Sequence, residues 1–348
     1  MPELKNAFPE YRSIHSQVLQ DVARRTDRAY DNFYRRIREK RNGKHIKAGF
    51  PRFKSITYPQ SGFRILDNGH VMLLKIGEVR MFMHRPISGD IRTLSIKRDH
   101  VGDWFITVTA DSEKIKGKGL ALSMPENVVG VDLGLESFVT MSDGNTVEST
   151  RFLRVSEKQL KKAQESLSRK KKGSGKRERA KKRVAKVHRK IQRQRDDLAH
   201  KLSRNLVKNH DLIAFEDINI KGMVKNHHLA KSITDAGWNQ IIQYTMYKAE
   251  SAGTVVVLID PKYTSQECSH CGNIKHDLKL SDRTYHCNVC GLSIDRDVNA
   301  AINIERKGMK KMKELTNLGR GTPEVTPVET GDLPAMATPI TETGSPLR

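Results

Sequence analysis

Apolar residues recur at helical spacing through residues 10–41, where Ile14, Val18, Val22, Tyr30 and Phe33 stand among arginines and lysines. That spacing predicts a helix, ended by Gly43 and the turn-rich Gly49-Phe50-Pro51-Arg52. Over 57–112 the pattern shortens. Val71–Leu74, Val79–Met83 and Trp104–Val108 are separated by Asp-Asn-Gly, Ser-Gly-Asp and Val-Gly-Asp turns, which predicts a small antiparallel sheet or β-barrel. Arg80, His84, Arg85, Lys97, Arg98 and His100 decorate it. A second regime opens at Val128-Val129-Gly130-Val131-Asp132, an apolar strand ending in a carboxylate, and Ser137–Met141 with the Ser142–Asn145 turn reads as a hairpin. Residues 155–209 predict one or two long helices, joined at Lys172-Gly173-Ser174-Gly175. Asp211–Glu216 is another buried strand ending in a carboxylate. Residues 233–251 predict a helix with Trp238, Ile241, Ile242, Thr245 and Met246 on one side; Gly253 caps it, and Val255–Ile259 is the next strand. Pro323, Pro327, Pro334, Pro339 and Pro346 punctuate a last stretch without aromatics, which predicts a disordered tail.

Charge changes the picture most. Lys and Arg number 63 against 40 Asp and Glu, a formal net charge of +23. About +17 of it falls within 154–208, which holds 22 Lys and Arg and 5 Asp and Glu. A solvated helix normally mixes both signs; a one-signed helix fits a polyanion. Lys170, Lys171, Lys172, Lys176, Arg177, Lys181, Lys182, Arg183, Arg189, Lys190 and Arg193 are therefore candidate phosphate contacts, strong in affinity and poor in sequence information. At roughly 150 residues per domain, 348 residues predict two or three compact units. No run reaches the roughly 18 apolar residues of a transmembrane helix. Met1-Pro2-Glu3-Leu4-Lys5 has no secretory apolar region, so a cytoplasmic protein is expected.

Two constellations carry chemistry. Cys268-Ser-His-Cys271 and Cys287-Asn-Val-Cys290 are CxxC pairs, each followed by a glycine (Gly272, Gly291) where a backbone turning around a metal needs positive φ. Four thiolates close a tetrahedral site around one structural zinc and leave no position for a reacting water. The second constellation is acidic. Asp132 and Glu216 each end an apolar strand, and Asp297 opens a short helix. A lone strand-end carboxylate is more often a turn former or a cap. Three meeting at one point make an all-oxygen site for Mg²⁺ or Mn²⁺, able to support phosphodiester hydrolysis. Asp295 competes with Asp297; the latter has Ala300, Ala301 and Ile304 at helical offsets, whereas Asp295 suits a cap.

These stretches resemble the TnpB (OrfB) family of transposon-encoded, RNA-guided nucleases, relatives of the type V CRISPR effectors. The resemblance is carried, in the family's order, by Gly49–Lys54, Val129-Gly130-Val131-Asp132-Leu133-Gly134, Phe215-Glu216-Asp217-Ile218-Asn219, Tyr263–Gly272, and Asp295–Ile304. It implies a multidomain α+β protein. A RuvC-like, RNase H-fold core would carry Asp132, Glu216 and Asp297 as catalytic magnesium ligands. Cys268, Cys271, Cys287 and Cys290 would hold the zinc of an inserted ribbon that binds target nucleic acid. The implied organisation is a partial helical recognition region (1–55), a wedge-type β-barrel (56–120) and the nuclease core (121–261). The zinc ribbon (262–293), the last nuclease segment (294–310) and a disordered tail (311–348) follow. Family members usually begin with an additional strand and helices upstream of the part matching 10–50, so some of the recognition and wedge regions is expected to be absent. DNA and a guide RNA are the implied partners, without a membrane. A nucleic-acid-binding protein without useful cleavage, a truncated relic or a guided DNA-binding regulator, is the alternative that the short N-terminus favours.

Overall fold

The computed structural model describes residues 2–50, 55–111, 124–148, 151–219, 237–279 and 281–317. They fall into two compact units of mixed α and β structure, divided near residue 114. Pro51–Lys54, the expected start of a helix at 233–236 and the Pro-rich tail from 318 lie outside the described residues.

In the first unit, α1 (Pro2–Ala7) and a 3-10 turn (Pro9–Ser13) precede α2 (Ser16–Arg41). The helix expected from residue 10 thus starts later, because Ile14 is extended (φ −107°, ψ 138°) and interrupts it. Six strands follow: β1 (Ser55–Tyr58), β2 (Phe63–Leu66), β3 (His70–Leu73), β4 (Gly77–Arg80), β5 (Asp90–Arg98) and β6 (Trp104–Asp111). They make two three-stranded antiparallel sheets, β1-β5-β6 and β2-β3-β4, sharing a core of Val18, Tyr58, Val71, Leu73, Leu94, Ile96 and Ile106. Arg25 docks α2 on β1, its guanidinium donating to Ser55 Oγ and Ser55 O at 2.8 Å each while Asp21 Oδ2 holds it at 2.8 Å.

The second unit is built on a five-stranded sheet of β7 (Val128–Asp132), β8 (Ser137–Met141), β9 (Thr146–Glu148), β10 (Leu212–Glu216) and β11 (Val255–Ile259). Their order is β11-β10-β7-β8-β9, with β7, β10 and β11 parallel and β8 antiparallel to both neighbours. The basic segment is two helices, α3 (Phe152–Ser168) and α4 (Gly175–Asn209), followed by α5 (Trp238–Ala252). Strands β12 (Thr284–His286) and β13 (Ser293–Asp295) form a small ribbon that leads into α6 (Arg296–Asn317). The short helix expected at Asp297 is therefore 22 residues long and takes in 311–317, part of the expected tail. Met309 and Met312 explain the extension, since they continue its apolar face over the sheet.

Strand alternation decides which side of this sheet carries what. Val129, Val131, Ile213 and Phe215 face one side, packed with residues of α4 and α5 such as Leu206, Ile241 and Ile242. Leu212 and Ala214 face the other, with Ile304 and Met312 of α6. The approach of α6 is close because two glycines permit it: a Cβ on Gly130 would collide with the backbone of Ala301 and Glu305, and one on Gly308 would sit 2.5 Å from Ala214 Cβ.

Candidate metal centres and nucleic-acid interface

The alternation that buries Leu212 and Ala214 under α6 puts Glu216 on the same side, and Gly130 does the same for Asp132. Val131 pairs with Phe215, so the two carboxylates lie one rung further along adjacent parallel strands. Asp297 sits in the first turn of α6, on the helix that covers that side. The structure thus brings the three expected acids into one electrostatic neighbourhood. Burial first, then the charges of Glu216 and Asp297, push the Asp132 carboxyl up to about 8, against the pull of Arg296. Burial raises Glu216 too, opposed by a hydrogen bond from Thr264 Oγ1 to its Oε1 and by the charge of Lys307. Arg296 Nη2 lies 3.1 Å from Asp297 Oδ1. Asp295 is a cap, as its position implied: its Oδ1 accepts from the backbone N–H of Asp297 and Val298 at 2.9 and 3.1 Å.

Such a set suits a divalent cation, because a buried carboxylate raised by two neighbouring negative charges is what a 2+ charge neutralises. The three acids remain looser than the thiols. Among the described residues, only the four cysteines bring all their ligand atoms within 4.8 Å of one another.

The thiol cluster is assembled by two equivalent knuckles. The N–H of Gly272 and of Gly291 each return to the carbonyl of the first cysteine, Cys268 or Cys287, at 2.9 and 3.0 Å, and both glycines have positive φ (+77° and +75°). Cys268 and Cys290 Sγ are 3.6 Å apart, as are Cys271 and Cys287. Tetrahedral ligation at about 2.3 Å per Zn–S bond calls for sulfurs roughly 3.8 Å apart, so the cluster can bind a zinc ion. Buried Tyr285 packs behind Cys268 and Cys287, and its hydroxyl donates to Gln266 O at 3.1 Å.

The basic helices α3 and α4 pack through Leu160, Val187 and Ile191. Lys171, Lys172, Lys176, Lys181, Lys182, Arg183, Lys190 and Arg193 are exposed, whereas Lys170, Arg177 and Arg189 are half-buried. Arg177 holds the turn, donating to Leu167 O and Lys170 O at 3.1 and 2.9 Å, and Lys181 pairs with Glu178 at 2.6 Å. No helix among the described residues is long and apolar enough to cross a membrane.

Sequence reasoning assigned no role to Thr264, Asn299 or Asn303. All three are buried, and the two asparagines stand four apart on α6 beside Ala300, Ala301 and Ile304. Two amides on an otherwise small and apolar helix face were the available signal.

Comparison with known proteins places this architecture. The OrfB_IS605 family model, described as "Probable transposase", matches residues 107–227, and the Cas12f1-like TNB domain matches 238–304. A "Putative RNA-guided DNA endonuclease" of Streptomyces pristinaespiralis is 32% identical over 307 residues, covering 85% of this chain and 72% of its own. The Escherichia coli K12 protein "Putative RNA-guided DNA endonuclease InsQ" is 31% identical over 314 residues, covering 84% and 74%. Among solved structures, a CRISPR-Cas12f ternary complex aligns with TM-score 0.40 and 19% identity, over 62% of this chain and 45% of that one. The order of the sequence motifs and a relative of this identity and coverage lead to one family: the chain belongs to the TnpB (OrfB) family.

Proposed function

We propose that this protein is an RNA-guided, metal-dependent DNA endonuclease encoded by a transposon, with Asp132, Glu216 and Asp297 as its RuvC-like catalytic acids. The observation that carries the reading is geometric: Asp132 and Glu216 end adjacent parallel strands on the side covered by α6, whose first turn holds Asp297. A sheet of three antiparallel strands followed by two parallel ones, with helices on both faces, supports an RNase H-like core. The names of the relatives support DNA as substrate and RNA as guide. Bound Mg²⁺ or Mn²⁺ would supply an activated water and stabilise the leaving oxygen of a phosphodiester. The chain's own part is to aim Asp132 and Glu216 from adjacent strands, to set Asp297 on a helix packed too closely to drift, and to hold phosphates on α3 and α4. The four cysteines would hold a structural zinc in a ribbon that binds target nucleic acid, and the sheets of 55–111 would form the wedge-type part.

The test is to purify the chain with its bound RNA, sequence that RNA, and offer matching DNA with Mg²⁺. Cleavage is expected from the unmutated chain and none from Asp132→Ala, with DNA binding retained in both. Binding without cleavage under every guide and metal would leave the non-cleaving nucleic-acid-binding reading, which the basic helices support by themselves.

A further inference from the structure

The ribbon and the acid site are joined by a short chain of hydrogen bonds that neither site needs for its own ligands. Asn303 Nδ2 donates to Thr264 O at 2.9 Å and to Glu267 O at 2.6 Å. Asn299 Nδ2 donates to Glu267 O at 2.8 Å, and its Oδ1 accepts the N–H of Ser269 at 2.9 Å. Ser269 lies inside the first knuckle, between Cys268 and Cys271, so this amide grips the metal-binding turn itself. At the other end, Thr264 Oγ1 donates to Glu216 Oε1, with Pro261 O 2.9 Å away as a second acceptor for the same proton. Asn299 is two residues from Asp297 on the same helix.

The choice of asparagine is informative. Asn299 and Asn303 are 0% and 1% exposed, where an amide is costly unless bonded. Asn303 Oδ1 has no partner among the described residues, a penalty that an apolar side chain would avoid. What an apolar residue cannot do is donate to two carbonyls. Aspartate, of the same shape, would oppose them with a carboxylate.

We infer that Asn299 and Asn303 are positioning residues that lock the thiol ribbon to the carboxylate site through Thr264, so that ion binding at the two sites is coupled. This rests on the proposed reading that the three acids bind a divalent ion. A ribbon held by zinc fixes the Thr264–Ser269 segment, Thr264 fixes the Glu216 carboxylate, and the asparagines fix the segment to the helix that carries Asp297. Coupling of this kind is reciprocal for binding.

The test uses the full zinc-loaded chain and two readouts, Mn²⁺ binding by electron paramagnetic resonance and zinc release to a chromogenic chelator. Asn303→Asp should weaken Mn²⁺ binding about tenfold, the lower end for disrupting a supporting shell, and should speed zinc release to a similar degree. Asn299→Asp keeps its acceptor for Ser269 and should show the smaller change. Thr264→Val should weaken Mn²⁺ binding severalfold with zinc release in Mn²⁺-free buffer unchanged, and Thr264→Ser should restore it. The threonine pair reads the acid side even where an asparagine variant folds poorly. Faster zinc release from Asn303→Asp with Mn²⁺ binding unaltered overturns the lock, as does wild-type Mn²⁺ binding in Thr264→Val. Mn²⁺ binding that Asp132→Ala fails to reduce overturns the carboxylate reading itself, and the lock with it.

Discussion

The thiol cluster and the carboxylate cluster lie in the same unit and are built on opposite principles. Four sulfurs come from 23 residues of chain and reach ligand distance through two repeated turns. Three carboxylates come from positions 132, 216 and 297 and share an electrostatic neighbourhood only because two parallel strands and the helix covering them bring those parts of the chain near one another. The first site holds its shape with sulfurs and backbone N–H groups. The second gathers like charges whose repulsion the fold must bear. A ligand removed from the thiol site should therefore cost stability, whereas one removed from the acid site should relieve strain.

The largest effect is expected from Cys287→Ser. Thiolate ligation is folding free energy for so small a unit, on the order of 10 kcal/mol in isolated zinc domains. Metal analysis should fall from about one zinc per chain to near none, and amide exchange over Cys268–Ile294 should lose its protection. Unchanged zinc would mean that another ligand substitutes and that the cluster is less closed than its geometry indicates.

Next comes Gly130→Ala, which strikes the acid site without touching an acid. A methyl there meets backbone atoms of α6 that cannot move aside singly, so the helix must shift. Overpacking of this kind costs roughly 1–3 kcal/mol. A urea midpoint lowered to match, with zinc content unchanged, is the expected outcome; an unaltered midpoint would show that α6 is not seated on Gly130.

The same contrast explains what the sequence makes legible. CxxC spacing and its following glycines are local, so four ligands and the sign of φ at Gly272 and Gly291 follow from a few neighbours. Strand ends at Asp132 and Glu216 were equally readable from apolar runs. The length of α6 was not, because Met309 and Met312 act through a sheet that no local window contains. Thr264, Asn299 and Asn303 escaped for a related reason: a buried amide has a meaning only once its partners, 30 or more residues away, are known.

An effect of opposite sign to the first is expected from Asp132→Asn. Without a divalent ion the Asp132 carboxyl keeps its proton up to about pH 8, against an ordinary value of 3.8. Between those values the folded chain binds more protons than the unfolded one, so stability falls as pH rises through this window. The substituted amide cannot ionise, and the variant's melting temperature in zinc-loaded, Mg²⁺-free buffer should exceed that of the unmutated chain at pH 8, the difference shrinking by pH 5. Saturating Mg²⁺ should restore the unmutated chain and leave the variant unmoved. A variant less stable at pH 8 would mean that the carboxylate is a structural partner.

The smallest effect on the fold, and the sharpest separation of binding from both the thiol and the carboxylate cluster, belongs to Lys170, Lys171 and Lys172. Replacing all three with Gln leaves the turn's own bonds in place, because Lys170 and Lys171 serve it through backbone carbonyls that accept from Arg177 and Ser174. Stability should stay within about 0.5 kcal/mol, as for other surface changes. Binding is a different matter. Each phosphate neutralised releases condensed counterions, and each lost contact should lower the salt slope by about 0.9 on duplex DNA. Lys171 and Lys172 are exposed and Lys170 is half-buried, so the slope should fall by about two to three such contacts. Asp132→Asn, measured in parallel, should leave that slope unchanged, since the acid lies outside the cationic helices. A triple variant with a wild-type slope would move the phosphate path to the exposed Lys181, Lys182, Arg183, Lys190 and Arg193 further along α4, and the same titration on their variants would locate it.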